Sequence, residues 1–234
     1  NDPSFARQWS LANNGSSNGL AGADIKATAA WDVRTDASSV IVAVIDSGVR
    51  LDHPDLAANL WRNPRETAGN GLDDDGNGYR DDVNGINAIA GNGNPADDHG
   101  HGSHVAGIIG AVAHNGTGIA GVAWRVQIMA LKFLRSSGDG VISDAITCID
   151  YAIANGAHII NASYGGVATG GTPQFSPAEY EAIKRLRDAG IIFVAAAGNE
   201  SSDTDVIASY PASYRLENVI SVGNSTNRDE VSTS

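Results

Sequence analysis

Sulfur and positive charge are both scarce in this chain. Cys148 is the single cysteine among 234 residues, which excludes a disulfide framework and a thiolate zinc site. It sits where a helical apolar stripe is expected, so it reads as a buried structural thiol. Fifteen Lys and Arg face 27 Asp and Glu, a formal net charge of −12. No basic run appears, and without one a nucleic acid is not an expected partner. No apolar run reaches the ~20 residues of a membrane helix, and Asn1 opens no charged and apolar leader. The expectation is therefore a soluble, processed chain with no membrane partner. No Gly-x-Gly-x-x-Gly or phosphate loop follows the apolar run at 40–45, which sets aside a nucleotide-binding domain.

What is present alternates. Short β-branched apolar runs at 40–45, 126–134, 158–163, 191–197 and 219–222 read as strands buried on both faces, hence a parallel sheet. Helical patterns fall between them at 101–113, at 143–155 with Ser143 as N-cap, and at 177–189 with Ser176 before Pro177 and Gly190 after. The expected fold is α/β, a doubly wound parallel sheet with helices on both faces, in one domain over 1–234. Residues 59–98 are polar, aperiodic and rich in Gly, Asn and Asp. A loop of that length in a compact domain is functional, disordered or tied down by something bound, and its aspartates favour the last.

Ligands of such sheets gather at the carboxyl ends of the strands. Asp46 ends the first strand, Ser163 and Tyr164 close another, and Asn199 follows a third. His101, flanked by Gly100 and Gly102, opens a helix. A buried carboxylate that orients an imidazole, which then takes a proton from a hydroxyl, is the logic of Ser–His–Asp chemistry. Alone, Asp46 reads equally well as a turn cap, and His101 as a metal or surface histidine among His99, His101 and His104. Together with Asn199, whose amide can donate to a developing oxyanion, they point to acyl transfer.

Val44-Ile-Asp-Ser-Gly48 with His53-Pro-Asp-Leu56, His101-Gly-Ser-His-Val-Ala-Gly107, Asn161-Ala-Ser-Tyr-Gly-Gly166 and Ala195-Ala-Ala-Gly-Asn199 occur in the order of the subtilisin-like serine proteases, the subtilases. The chain resembles that family over nearly its whole length. The resemblance implies that Asp46 orients His101, that His101 is general base and then general acid, and that Asn199 is the side-chain half of the oxyanion hole. It further implies that Ser163, Tyr164 and Gly165, with Ala196, Ala197 and Gly198, wall the primary specificity pocket; Glu200, next to Asn199, reads as a solvated charge or, in the functional alternative, as a residue at the pocket mouth. Gly138, Asp139 and Gly140 would pair with an extended peptide substrate as an added strand. The family's nucleophile, a serine in a Gly-Thr-Ser-Met-Ala-like turn, has no counterpart before Ser234. The sheet is therefore expected to be incomplete on its C-terminal side. The serine is expected on a complementary C-terminal segment outside these residues, and the 234 residues alone are expected to be inactive. A catalytically inactive calcium-binding or interaction module on the same scaffold is the alternative. Secretion is inferred from the family.

Two cation sites are expected. Asp73, Asp75 and Asn77, then Gly78 and the Tyr79 carbonyl, follow the one, three, five, seven spacing of a calcium loop with glycine at the sixth position. Asn84 stands where that loop has its bidentate Glu, so Asp81 or Asp82 must supply the last carboxylate, Asp82 being favoured. The second site is implied only by resemblance to thermitase-like subtilases. There Asp2, Asp55 and the Asn115 side chain, with carbonyls of Val112, Thr117 and Ile119, would hold calcium and staple the N-terminus to the core.

Overall fold

A computed structural model describes residues 1–165, 175–199 and 201–232. Its centre is β1 (Asp36–Asp46), whose last five residues are all buried. A fully parallel six-stranded sheet surrounds it, formed with β2 (Gly85–Asn87), β3 (Arg125–Lys132), β4 (Ile159–Ala162), β5 (Ile192–Ala196) and β6 (Val219–Val222) in the order β2-β3-β1-β4-β5-β6. The chain passes to β3 on one side of β1 and to β4 on the other, so the winding reverses at β1, where α/β sheets bind ligands.

Alternation along β1 and β3 separates two cores. Ala43, Ile45, Met129 and Leu131 meet Cys148, Ile149 and Ala152 of α3 (Ile142–Ala154) and Ala182, Ile183 and Leu186 of α4 (Pro177–Asp188). Val42, Val44, Ile128 and Ala130 meet Val105 and Ala106 of α2 (His101–Gly110) on the opposite face. Helices thus cover both faces of the central strands, whereas Ile192 of β5 and Ile220 and Val222 of β6 are exposed. Cys148 is fully buried, and burial pushes its thiol above the ordinary range, which suits an inert core residue.

Several boundaries differ from expectation. Ser143 is not the cap of α3: the helix begins at Ile142 after extended Val141 and has no side-chain cap, while Asp144 lies in the positive first turn. α2 stops at Gly110 because Ala111 turns extended, which delivers the Val112 N–H to the Asp55 carbonyl at 2.8 Å. β2 lies inside the aperiodic stretch. It is three residues long, and a Cβ on Gly85 would fall 1.9 Å from the Ala130 carbonyl oxygen, so a glycine-rich sequence is what lets it reach β3. α4 begins as expected, with Ser176 Oγ accepting from the Glu179 N–H at 3.3 Å and proline in its first turn. No helix among the described residues is long and apolar enough to cross a membrane.

Candidate active site

Asp46 ends β1 with no solvent exposure, and its Oδ1 accepts the Ser47 N–H at 2.7 Å. The chain leaves β1 through Gly48, whose φ of 102° and whose missing Cβ, which would meet the Pro95 carbonyl oxygen at 2.4 Å, make this turn a glycine position. α2 starts beside that exit. A Cβ on Gly102 would lie 2.1 Å from the Gly48 carbonyl oxygen and 3.1 Å from Asp46 Cβ, so glycine allows the helix to come this close. The approach places His101 Nδ1 at 2.8 and 2.9 Å from the two Asp46 carboxylate oxygens. With Nδ1 donating to the buried carboxylate, Nε2 is left to accept a proton, and 42% exposure of the ring side chain keeps it reachable.

Two neighbours hold this pair. Asp97 fastens the entry to α2: its oxygens accept from the His99 and Gly100 amides, from both the amide and hydroxyl of Ser103, and from Ser47 Oγ. Burial alone would raise the Asp97 carboxyl, but the Ser103 hydroxyl, the Gly100 and His99 amides and Ser47 outweigh it and lower it from 3.8 to about 2. A carboxylate depressed in the folded state stabilises fully above its unfolded pKa and loses that contribution as pH falls through the folded one. Acid titration of stability is therefore expected to fall between pH about 4 and about 2, and to be flatter there in Asp97→Asn. Equal slopes for the two proteins would contradict this role.

Lys132 ends β3, 4% exposed, with Nζ donating to the carbonyls of Ser47 and Leu134 at 2.7 Å and to Asp98 at 2.6 Å. It ties the turn after Asp46 to the turn after β3. Lys132→Met keeps the apolar stem but orphans two buried carbonyls, at an expected cost of about 2–4 kcal/mol in urea unfolding. A loss below about 0.5 kcal/mol would show that water replaces the ammonium at little cost.

The pair opens on a cavity of about 740 Å³. Gly138, Asp139, Gly140, Ser163, Tyr164, Gly165, Ala196, Gly198 and Asn199 line it, together with His101. Ala197 does not, and its N–H instead donates to the Val222 carbonyl at 2.9 Å. Gly138 to Gly140 form a turn folded back on Leu134, with the Arg135 N–H donating to the Asp139 carbonyl at 2.8 Å. Glu200 and Gly166 lie outside the described residues. The cavity also takes in His99, read above with His101 and His104 as a metal or surface histidine, and residues that the sequence did not mark, among them Phe133, Glu179, Ser209, Tyr210 and Pro211. Ser209 to Pro211 come from an irregular segment with no periodicity to announce them. Glu179 lies in the first turn of α4.

The cation loops come together as well. Carboxylate oxygens of Glu66, Asp73 and Asp75 lie within 4.8 Å of one another. Glu66 precedes the loop and its spacing gave no sign of it. Asp82 is fully buried; its Oδ2 accepts from Asn77, Asn63 and the Tyr151 hydroxyl, so it orients Asn77 from behind. Tyr79 sets its ring edge-on to Tyr151, centroids 5.8 Å apart. Glu66 Oε2 and Asp82 Oδ1 are buried without a hydrogen-bond partner among the described residues. Arg65 at 3.2 Å from Asp75 neutralises only part of this charge. At the N-terminus, Asp2 accepts from the amides of His114, Asn115 and Gly116. Asp55 accepts from the Asn115 side chain at 2.7 Å and from the Ile119 amide at 3.0 Å, and the Thr117 N–H donates to Asn115 Oδ1 at 2.8 Å. Asp2 and Asp55 are both buried, 7% and 2% exposed.

A parallel α/β sheet with a carboxylate–imidazole pair at its carboxyl edge, opening on a cleft edged by a strand-end asparagine, places the chain among α/β proteins that carry their site at the carboxyl ends of the strands. The chain belongs to the subtilase family, whose model matches residues 37–234. It is 40% identical over 163 residues to subtilisin-like protease 1 of Plasmodium vivax, covering 69% of this chain and 25% of that protein. It is 34% identical over 204 residues to the minor extracellular protease Epr of Bacillus subtilis (strain 168), covering 87% of this chain and 26% of that protein. It is 32% identical over 209 residues to thermitase of Thermoactinomyces vulgaris, covering 89% and 62%. The chain therefore spans from 25% to 62% of the length of these relatives.

Proposed function

We propose that residues 1–234 are the acid–base and substrate-binding part of one subtilisin-like peptidase domain. The domain would hydrolyse peptide bonds of extended polypeptides through an acyl-enzyme. The observation that carries this is the Asp46–His101 contact at 2.8 and 2.9 Å on the rim of the cavity that Asn199 also lines. Asp46 holds the imidazole in one tautomer and stabilises the imidazolium that forms. His101 Nε2 takes the proton of a serine hydroxyl outside these residues as it attacks the carbonyl, and returns it to the leaving amine. The amide of Asn199 meets the oxyanion, a contribution of about 2.7–4 kcal/mol in such sites. Ser163 to Gly165 with Ala196 and Gly198 wall the primary specificity pocket, and Gly138 to Gly140 offer backbone to the substrate strand.

Calcium fits the loop on the strength of its two orphaned buried carboxylate oxygens, which a cation would satisfy. Asp73, Asp75, Asn77 and the Tyr79 carbonyl, with Glu66 added and Asp82 behind them, would hold it. Asp2, Asp55, Asn115 and the carbonyls of Val112, Thr117 and Ile119 would hold a second. These ions stabilise and take no part in the chemistry. Secretion follows the extracellular relative and suits calcium-dependent stability. The test is hydrolysis of an unfolded polypeptide by the full-length gene product with calcium present. Internal cleavage supports an endopeptidase. A folded full-length product that cleaves nothing would instead be an inactive calcium-binding module on this scaffold.

A further inference from the structure

A buried group of the cleft is an acid that the catalytic scheme leaves unused. His101 and Asn199 are exposed at the rim, whereas Glu179 and Ser209, which line the same cavity, are 3% and 7% exposed. Glu179 is the third residue of α4, three after its cap Ser176. A glutamate there ordinarily reaches back to the cap N–H, completing a capping box. Here the Ser176 N–H donates instead to the Tyr214 hydroxyl at 3.2 Å, and Glu179 turns inward with Oε2 accepting from that hydroxyl at 2.8 Å. The carboxylate has thus given up its helix-capping partner to stand at the bottom of the cleft.

No Lys or Arg lines the cavity among the described residues, and 166–174, 200 and 233–234 contain neither. Beside Glu179, the buried Tyr164 hydroxyl lies within reach of its carboxylate. Burial raises the Glu179 carboxyl above its ordinary value, and the Tyr214 and Tyr164 phenols pull the other way. A buried carboxylate without a counter-charge is costly, and a cation delivered from outside relieves that cost. Phe133, Tyr210 and Pro211 on the walls suit the apolar stem of a long basic side chain.

We propose that Glu179 is the specificity-determining residue at the floor of this pocket and selects a substrate side chain ending in a cation, lysine or arginine, just before the scissile bond. The proposal rests on the cleft being the substrate site, as argued above. The test uses the full-length protein with calcium and peptides that differ only at that residue: arginine, lysine, leucine or glutamate. For the unmutated protein kcat/KM is expected to be about 10–100-fold higher with arginine or lysine than with leucine, the scale of a hydrogen bond to a charged group. Glu179→Gln is expected to collapse that ratio to near one. Preference of the unmutated protein for leucine overturns the proposal without any variant, as does an unchanged ratio in a folded Glu179→Gln, and in both cases the cleft stands. Cleavage of none of the peptides removes the cleft and the proposal with it.

Discussion

Replacing His101 by alanine in the full-length protein is expected to lower kcat/KM for peptide hydrolysis by about 10⁴–10⁶-fold, since members of such a unit act together and loss of one forfeits most of their joint effect. Asp46→Asn is expected to cost about 10⁴-fold, because an amide at this position donates to Nδ1 and leaves the wrong ring nitrogen to face the serine. The two substitutions separate in stability. The His101 ring is 42% exposed, so its removal is expected to move the melting temperature by no more than ~2 °C. Asp46 is fully buried and accepts the Ser47 amide, so Asp46→Asn is expected to destabilise as well. The double variant is expected to be little slower than His101→Ala alone. Losses that simply multiply would mean that the pair does not act as one unit.

Removal of calcium is the second large effect. An ion present at 100 times its dissociation constant stabilises by about 2.7 kcal/mol, which for a domain of this size is about 5–10 °C in melting temperature per site. Chelation is therefore expected to lower the melt by about 10–20 °C if both sites fill. Asp75→Asn and Asp55→Asn are each expected to remove about half of that response, because the two clusters share no residue. The loop carries the larger burden of unneutralised charge, with Glu66, Asp73 and Asp75 converging and Asp82 buried behind them. Calorimetry with and without chelator decides it, and an identical melt would remove calcium from both places.

Local pattern made some of this legible in the sequence and tertiary approach hid the rest. Asp46 and His101 could be read because each sits in its own short motif, a strand running out into Ser-Gly and a histidine between glycines. The central strands showed as β-branched runs because both of their faces are covered. β2 did not, being a three-residue strand held by backbone and by the absence of a side chain at Gly85. Ser143 misled as a cap because a serine near a helix start is only a propensity, and the cap position fell two residues earlier, at Val141. Glu66 joins the acidic loop from outside its linear spacing, a convergence that only the folded loop creates. Glu179 carried the signature of a capping box, and only the Tyr214 hydroxyl, 35 residues away, shows why it faces the cleft instead. The partners of a charged residue, rather than its sequence neighbours, decided its role in both cases.

The most direct measurement is mapping of a fluorophosphonate adduct on the full-length protein by peptide mass spectrometry. The account predicts one modified serine, outside residues 1–234, with labelling lost in His101→Ala and in Asp46→Asn. An adduct on a serine within 1–234, or equal labelling of the His101→Ala protein, would contradict it.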